Sequence, residues 1–242
     1  MEDFPVYFEP LSLFNIEFYA QEKAHRIGDY LRIHTEGVFP DLNGVQIALI
    51  GVPEERKSLQ NTGCSMAPDE IRKQFYSLYG FKEMPVVADM GNLRCGKNVE
   101  DTYLILQDIC SLLISNHIIP VILGGSQDLT YANYLAYEKL QEVINITSID
   151  TRFDIGSKIS EDHSEAYLHK IILRRPNYLF NYTNLAYQTY FVNPEDVELM
   201  HKLKFDAYRY GQLHEDIVAM EPILRDTTLL SIDMSAIRFS DA

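Results

Sequence analysis

Short runs rich in Val and Ile recur along the chain, and most are followed by a stretch with the spacing of an amphipathic helix. Runs of that kind are buried on both faces, which a parallel sheet requires and a half-solvated antiparallel sheet does not. The alternation therefore limits the fold to the α/β class, a three-layer α/β/α arrangement with a mainly parallel sheet and right-handed crossovers. VQIALIGVPEE reads as the first such strand, and Pro68 followed by DEIRKQFYSLY marks a helix start with acidic residues in its first turn. MPVVADMG is the second strand. Val99 to Asn116 is a long amphipathic helix carrying Leu104, Ile105, Ile109, Leu112 and Leu113, and IIPVILGG is the third strand. A helix after Asp128 leads to a fourth strand, Val143 to Ile149, which delivers Asp150 at its carboxyl end. Beyond it come Tyr190 to Asn193, helices predicted over Pro194 to Leu203 and Leu213 to Met220, and a last strand, TTLLSIDMS. Functional sites of such sheets lie at the carboxyl ends of the strands.

The 242 residues, 46% of them hydrophobic, suffice for one large α/β domain, predicted over residues 45–242. Residues 1–44 read as an extension packing on it, with an aromatic-rich segment from Phe4 to Phe18 and helical spacing at Ile27, Tyr30 and Leu31. A net charge of −14 opposes a polyphosphate backbone, and the densest cationic stretch, Lys170 to Arg175, holds only three positive residues. No nucleic-acid partner is expected. No apolar run approaches the roughly 20 residues that span a bilayer, and the acidic start MEDFPVYFEP lacks a signal pattern. No membrane association is expected either. Cys64, Cys95 and Cys110 are odd in number and far apart, as reduced thiols of a cytoplasmic protein would be.

Three segments at or near strand ends carry chemistry. LGGSQDLT (Leu123 to Thr130), DTRFD (Asp150 to Asp154) and SIDMSAIRFSDA (Ser231 to Ala242) resemble, in order, the metal-ligand motifs of the arginase, agmatinase and formimidoylglutamase (ureohydrolase) family. GCSMAPDEIR at Gly63 to Arg72, ADMGNL at Ala88 to Leu93 and LAYQTYFVN at Leu185 to Asn193 are similar to further segments of that family. The resemblance implies an arginase-like fold. It also implies a site that in the family holds two manganese ions, whose bridging hydroxide attacks a guanidinium or formimidoyl carbon.

The departures from that pattern are specific. Asp150, Asp154 and Asp233 stand where the family has metal-binding aspartates, whereas Gln127, Arg152 and Ser235 occupy the positions of the other three ligands. Three carboxylates and one guanidinium give a net −2 where the family's pattern carries four carboxylates. Two divalent ions are poorly supported by such a set. If residues 150–154 are extended, Arg152 projects between Asp150 and Asp154 and neutralises them in place of the ions. Apart from the resemblance, aspartates at strand ends serve as caps of loops and helices. His163, in the polar Gly156 to Glu165 stretch, offers a replacement imidazole, although a loop histidine is ordinarily solvated. His117 reads as a helix-end residue.

A non-catalytic ureohydrolase-family protein is the expectation that follows, with no cofactor and with Asp150, Asp154 and Asp233 as remnant ligands. One alternative is a metal-dependent hydrolase of linear amidines with a reduced site, using manganese. Another is an α/β domain that binds a small ligand or a partner. The resemblance implies further strands and helices beyond the last motif, so the sequence predicts an incomplete C-terminal edge, covered by a partner or in a homo-oligomer.

Overall fold

The computed structural model describes residues 4–12, 25–59, 61–156 and 162–237. Backbone contacts divide the chain into two compact units, Met1–Ser126 and Gln127–Ala242, each built on a largely parallel sheet with helices. Among the described residues no helix is long and apolar enough to cross a membrane.

In the first unit β3 (Ile47–Gly51) lies between β4 (Val87–Leu93) and β5 (Ile119–Leu123), parallel to both. Its Ala48 and Ile50 are fully buried, and burial of a side chain such as Ile50 contributes about 1.5–3 kcal/mol. Helix α1 (Ala67–Ser77) begins at Pro68 with Asp69 and Glu70 in its first turn. Helix α2 (Val99–Ser115) starts with a capping box between Asn98 and Asp101 and buries Leu106, Ile109, Cys110 and Leu113. His117 follows its end in the left-handed region, φ 59°. These boundaries match the sequence reading to within a few residues.

The N-terminal residues are part of this sheet. β1 (Phe8–Glu9) pairs antiparallel and β2 (Arg32–Ile33) parallel with β4. Where helical spacing at Ile27, Tyr30 and Leu31 predicts a helix before Ile33, the described residues from His25 on form a 3-10 turn, Ile27–Asp29, with the Asp29 carboxylate accepting from the Arg26 N–H at 2.9 Å. The chain then enters β2 and leaves Tyr30 exposed. Phe4, Phe8 and Phe39 gather their rings 6.0–6.5 Å apart. The rest of the aromatic segment falls mostly in residues 13–24, outside the described residues.

A buried ion pair ties α1 to β4. Arg72 donates through Nε and Nη2 to the two oxygens of Asp89 at 2.8 and 3.0 Å, and the Tyr76 hydroxyl donates to Asp89 at 2.6 Å. The remaining donors go to Asn92 and to the Gly91 carbonyl, while the Gly91 N–H completes Asp89. Every charge there is answered, as burial demands. Two glycines allow close packing here, Gly51 against the Arg72 network and Gly91 against β1. A Cβ at Gly51 would stand 1.9 Å from Asn92 Oδ1, and one at Gly91, where φ is +87°, would stand 2.2 Å from the Glu9 carbonyl.

In the second unit all four strands are parallel, in the order β8 (Asp206–Arg209), β7 (Leu179–Tyr187), β6 (Ile144–Ile149), β9 (Leu229–Ile232). Helix α3 (Leu129–Leu140) contacts α4 (Tyr167–Leu173), and Arg174 pairs with Glu138 across them. In this Trp-free chain tyrosines are the largest fully buried side chains: Tyr134, Tyr167 and Tyr182. The Tyr134 hydroxyl accepts from the Tyr178 N–H at 3.0 Å, which is how a phenol tolerates burial.

Sequence patterning misses β7, β8 and α4. In β7, Asn181, Thr183 and Asn184 interrupt the apolar run, yet Thr183 and Asn184 are buried by packing on both sides. Tyr190 to Asn193 is a turn ahead of helix α5 (Pro194–Leu203), whose Asn193 side chain caps Glu195 N–H. The single helix predicted from Leu213 to Met220 is instead α6 (Tyr210–Glu215), a 3-10 turn and α7 (Met220–Arg225). Asp216 breaks it, because its side chain captures the Ala219 N–H at 3.3 Å and leaves its own backbone outside the helical region.

Removing one partner of the Arg72–Asp89 pair strands the other charge in the core. Arg72→Met is expected to lower stability by about 3–5 kcal/mol, measured as a fall in the urea midpoint. Adding Asp89→Leu to that variant should recover much of the loss.

Candidate functional site

Register brings the site together. Ile149 of β6 is paired with Ile232 of β9, so the next residue of each strand, Asp150 and Asp233, emerges at adjacent carboxyl ends. The Asp233 N–H donates to the Ile149 carbonyl at 3.0 Å, and the Asp150 N–H donates to the Leu185 carbonyl of β7 at 3.0 Å. Two aspartates distant in sequence become neighbours because parallel strands end together.

Residues 150–154 do not stay extended. Asp150 Oδ1 accepts the Arg152 N–H at 2.9 Å, two residues ahead, which folds the segment into an Asx turn. Asp154 then takes a left-handed backbone, φ 51°, a conformation that Asp tolerates better than most residues. Its carboxyl meets that of Asp150 in a side-chain hydrogen bond. Phe153, 2% exposed, anchors the turn against the Tyr187 ring at 4.8 Å.

The expectation that Arg152 lies between the aspartates and neutralises them is therefore corrected. The turn carries its guanidinium elsewhere: Nη1 donates to Glu165 Oε1 at 3.4 Å, and the group lies over the Phe191 ring, 5.3 Å from its centre. Arg152 reaches Asp150 through its backbone N–H. Gln127 and Ser235 are also engaged. Gln127 Nε2 donates to Ser231 Oγ at 2.6 Å, and the same oxygen meets Thr130 Oγ1 at 2.7 Å. Ser235 Oγ donates to Asp150 Oδ1 at 3.3 Å and lies 3.0 Å from Thr151 Oγ1, while its N–H caps Asp233 at 2.7 Å. His163 sits just before the 3-10 turn Ser164–Ala166. Residues 157–161 and 238–242, parts of the polar stretch and of the last motif, lie outside the described residues.

Burial and like charge dominate the electrostatics. Burial pushes the Asp150 carboxyl up to about 6, the Asp233 carboxylate adds to this, and the Arg152 N–H opposes it. Asp154 is held well above the usual carboxylate range, first by burial and then by the charge of Asp150. The two are best described as a carboxyl–carboxylate pair sharing a proton. Gln127, Arg152 and Ser235 bring no imidazole and no fourth carboxylate to the three aspartates. Among the described residues no group of three or more His, Cys, Asp or Glu side chains is arranged to hold a metal ion.

Several contributors escape sequence reasoning. Asn184, fully buried, donates from Nδ2 to the Arg152 carbonyl at 2.7 Å, and Gln188 N–H holds the Thr151 carbonyl at 3.1 Å. A bulge at Ala186, φ 82°, shifts the register of β7 on β8 before the strand ends at Tyr187, ahead of the Tyr190–Phe191 turn. The one signal that could have found Asn184 is an amide near the carboxyl end of a buried strand.

Comparison with known proteins bears on this geometry. A family model described as the arginase family matches residues 45–242. A formimidoylglutamase of Geobacillus sp. (strain WCH70) is 25% identical over 148 residues, covering 58% of this chain and 46% of the relative. Another, from Staphylococcus aureus (strain N315), is 30% identical over 95 residues, 38% of this chain and 30% of the relative. The matches thus span less than half the length of these relatives. Among solved structures, formimidoylglutamase from Bacillus subtilis superposes with a TM-score of 0.69 at 16% identity, covering 81% of this chain and 66% of that one. A single-residue variant of Trypanosoma cruzi formiminoglutamase with Mn2+ gives 0.73 at 13% identity, covering 96% and 77%. The agmatine ureohydrolase of Thermoplasma volcanium gives 0.64 at 17%, covering 89% and 72%. These likenesses show the α/β fold with mainly parallel sheets.

Raised carboxyl pKa values have a definite sign. The folded state holds its protons more tightly than the unfolded chain, so stability is fully present at low pH and is lost as pH rises through about 6 for Asp150. The pair should cost on the order of 2 kcal/mol at pH 7.5 relative to pH 5. Asp154→Asn is expected to flatten that slope, read from urea midpoints across the two pH values.

Proposed function

Because the chain belongs to the arginase family, we propose that it is a ureohydrolase-family protein of the formimidoylglutamase-like branch that binds a ligand without hydrolysing it. The observation that carries this reading is the fate of the three replaced positions. Gln127 is tied to Ser231, Arg152 to Glu165 and Ser235 to Thr151 and Asp150, so each is spent on local hydrogen bonding instead of on an ion. A two-metal hydrolase depends on ligands that fix both ions and lower the pKa of a bridging water. Here the Asp150 and Asp154 carboxyls bond to each other, an arrangement that a protonated pair adopts without a cation.

One observation favours a second reading. The charge of Asp233 raises the proton affinity of both Asp150 and Asp154, and carboxylates so placed attract a hard cation. Under that reading a single manganese or magnesium ion would be held by the three carboxylates, and the chain would retain a reduced hydrolase activity on linear amidines. Carboxylate oxygens fit such an ion in kind. The missing imidazoles and fourth carboxylate leave the two-ion chemistry without support.

After dialysis against manganese, the chain is expected to retain no stoichiometric metal and to release no product from formimidoylglutamate, arginine or agmatine. The combined variant Gln127→His, Arg152→His, Ser235→Asp should gain manganese by elemental analysis. Two ions per unmodified chain, with turnover abolished by Asp154→Ala, would overturn the non-catalytic reading.

A further inference from the structure

The Arg152 guanidinium is held at the edge of the aspartate site with more support than an ordinary surface ion pair has. Its residue is fixed at both ends of the peptide: the N–H by Asp150 at 2.9 Å and the carbonyl by the buried Asn184 at 2.7 Å. The neighbouring residues are fixed too, Thr151 by Gln188 and Phe153 by burial against Tyr187. This is a rigid pedestal, and the side chain it presents is 38% exposed. Beside it Phe191 and Tyr190 leave 49% and 74% of their surface in water while packing edge to face with ring centres 4.6 Å apart. An exposed aromatic pair next to a guanidinium, at the carboxyl ends of parallel strands, is the composition of a recognition surface.

We propose that Arg152 and Phe191 form a carboxylate-binding subsite, and that the ligand is a zwitterion whose cationic amidine or amine end faces Asp150 and Asp233. A carboxylate already sits on the guanidinium: Glu165 accepts from Nη1 at 3.4 Å, a long contact from a side chain that is 34% exposed. Half-exposed pairs of this kind are readily exchanged, so an incoming carboxylate displaces Glu165 and takes both prongs of the fork. A phosphate is the poorer fit, since its second charge would face three aspartates in a chain of net charge −14. The guanidinium placed at a former ligand position thus becomes a specificity determinant. The inference rests on the proposed non-hydrolytic reading, in which the aspartates are available to a ligand's cation.

Arginine and agmatine test it, because they differ only in the carboxylate. Calorimetric titration of the full chain, stripped of metal on a chelating resin, should give arginine at least about tenfold tighter than agmatine. Arg152→Gln should bring arginine to within about twofold of agmatine, while Glu165→Gln, which removes the competing carboxylate, should tighten arginine. Equal affinity for the two ligands in the unmodified chain, or no saturable binding of either, overturns the proposal. So does an Arg152→Gln variant that melts normally and still discriminates. Metal content and turnover are read separately, so a chain that proved to hold two ions would sink the non-catalytic reading while the arginine-to-agmatine ratio still reported on Arg152.

Discussion

The second unit is organised around one electrostatic conflict: two parallel strands end in register, and each delivers an aspartate to the same place at the sheet's carboxyl edge. Hydrogen bonding of the backbone fixes that coincidence, since Asp233 N–H and Asp150 N–H are both ladder donors and neither residue can retreat without breaking the sheet. The left-handed turn at Asp154 adds a third carboxyl. Desolvation and the neighbouring carboxylates then raise the proton affinity of Asp150 and Asp154.

The first unit shows how the same kind of residue is stabilised when it serves the fold. Asp89 is as deeply buried as any aspartate in the described residues, but a guanidinium, a phenol and a backbone N–H converge on it. Asp150 receives a backbone N–H and a serine hydroxyl, and no buried guanidinium has been placed opposite it among the described residues. The two aspartates thus differ in how fully burial is compensated by partners.

Gln127, Arg152 and Ser235, the three positions that the motif resemblance singles out, behave alike. A glutamine bonded to Ser231, a serine bridging Thr151 and Asp150, and an arginine turned toward Glu165 and Phe191 are all engaged in the protein's own network. The fold of the family persists because its strands, helix caps and Arg72–Asp89 clamp do not depend on those positions.

Much of the scaffold was legible in the amino-acid order. The buried Val/Ile runs determined β3, β4, β5, β6 and β9, Pro68 with its acidic first turn marked α1, amphipathic spacing marked α2, and the three motifs located Asp150, Asp154 and Asp233 at strand ends. These are local signals, set by periodicity and by the backbone preferences of Pro, Asn and Asp. Strand β7 was hidden because its polar residues are buried only by packing from both sides. Most of all, the direction of Arg152 was decided in three dimensions. Side-chain alternation placed it between the aspartates, but the Asp150 carboxylate captured its N–H, turned the chain, and sent the guanidinium out to Glu165 and Phe191. Such a turn competes with an extended backbone by a single hydrogen bond, and which conformation prevails depends on Asn184, Gln188 and Phe153 holding the loop from outside the local pattern of alternation.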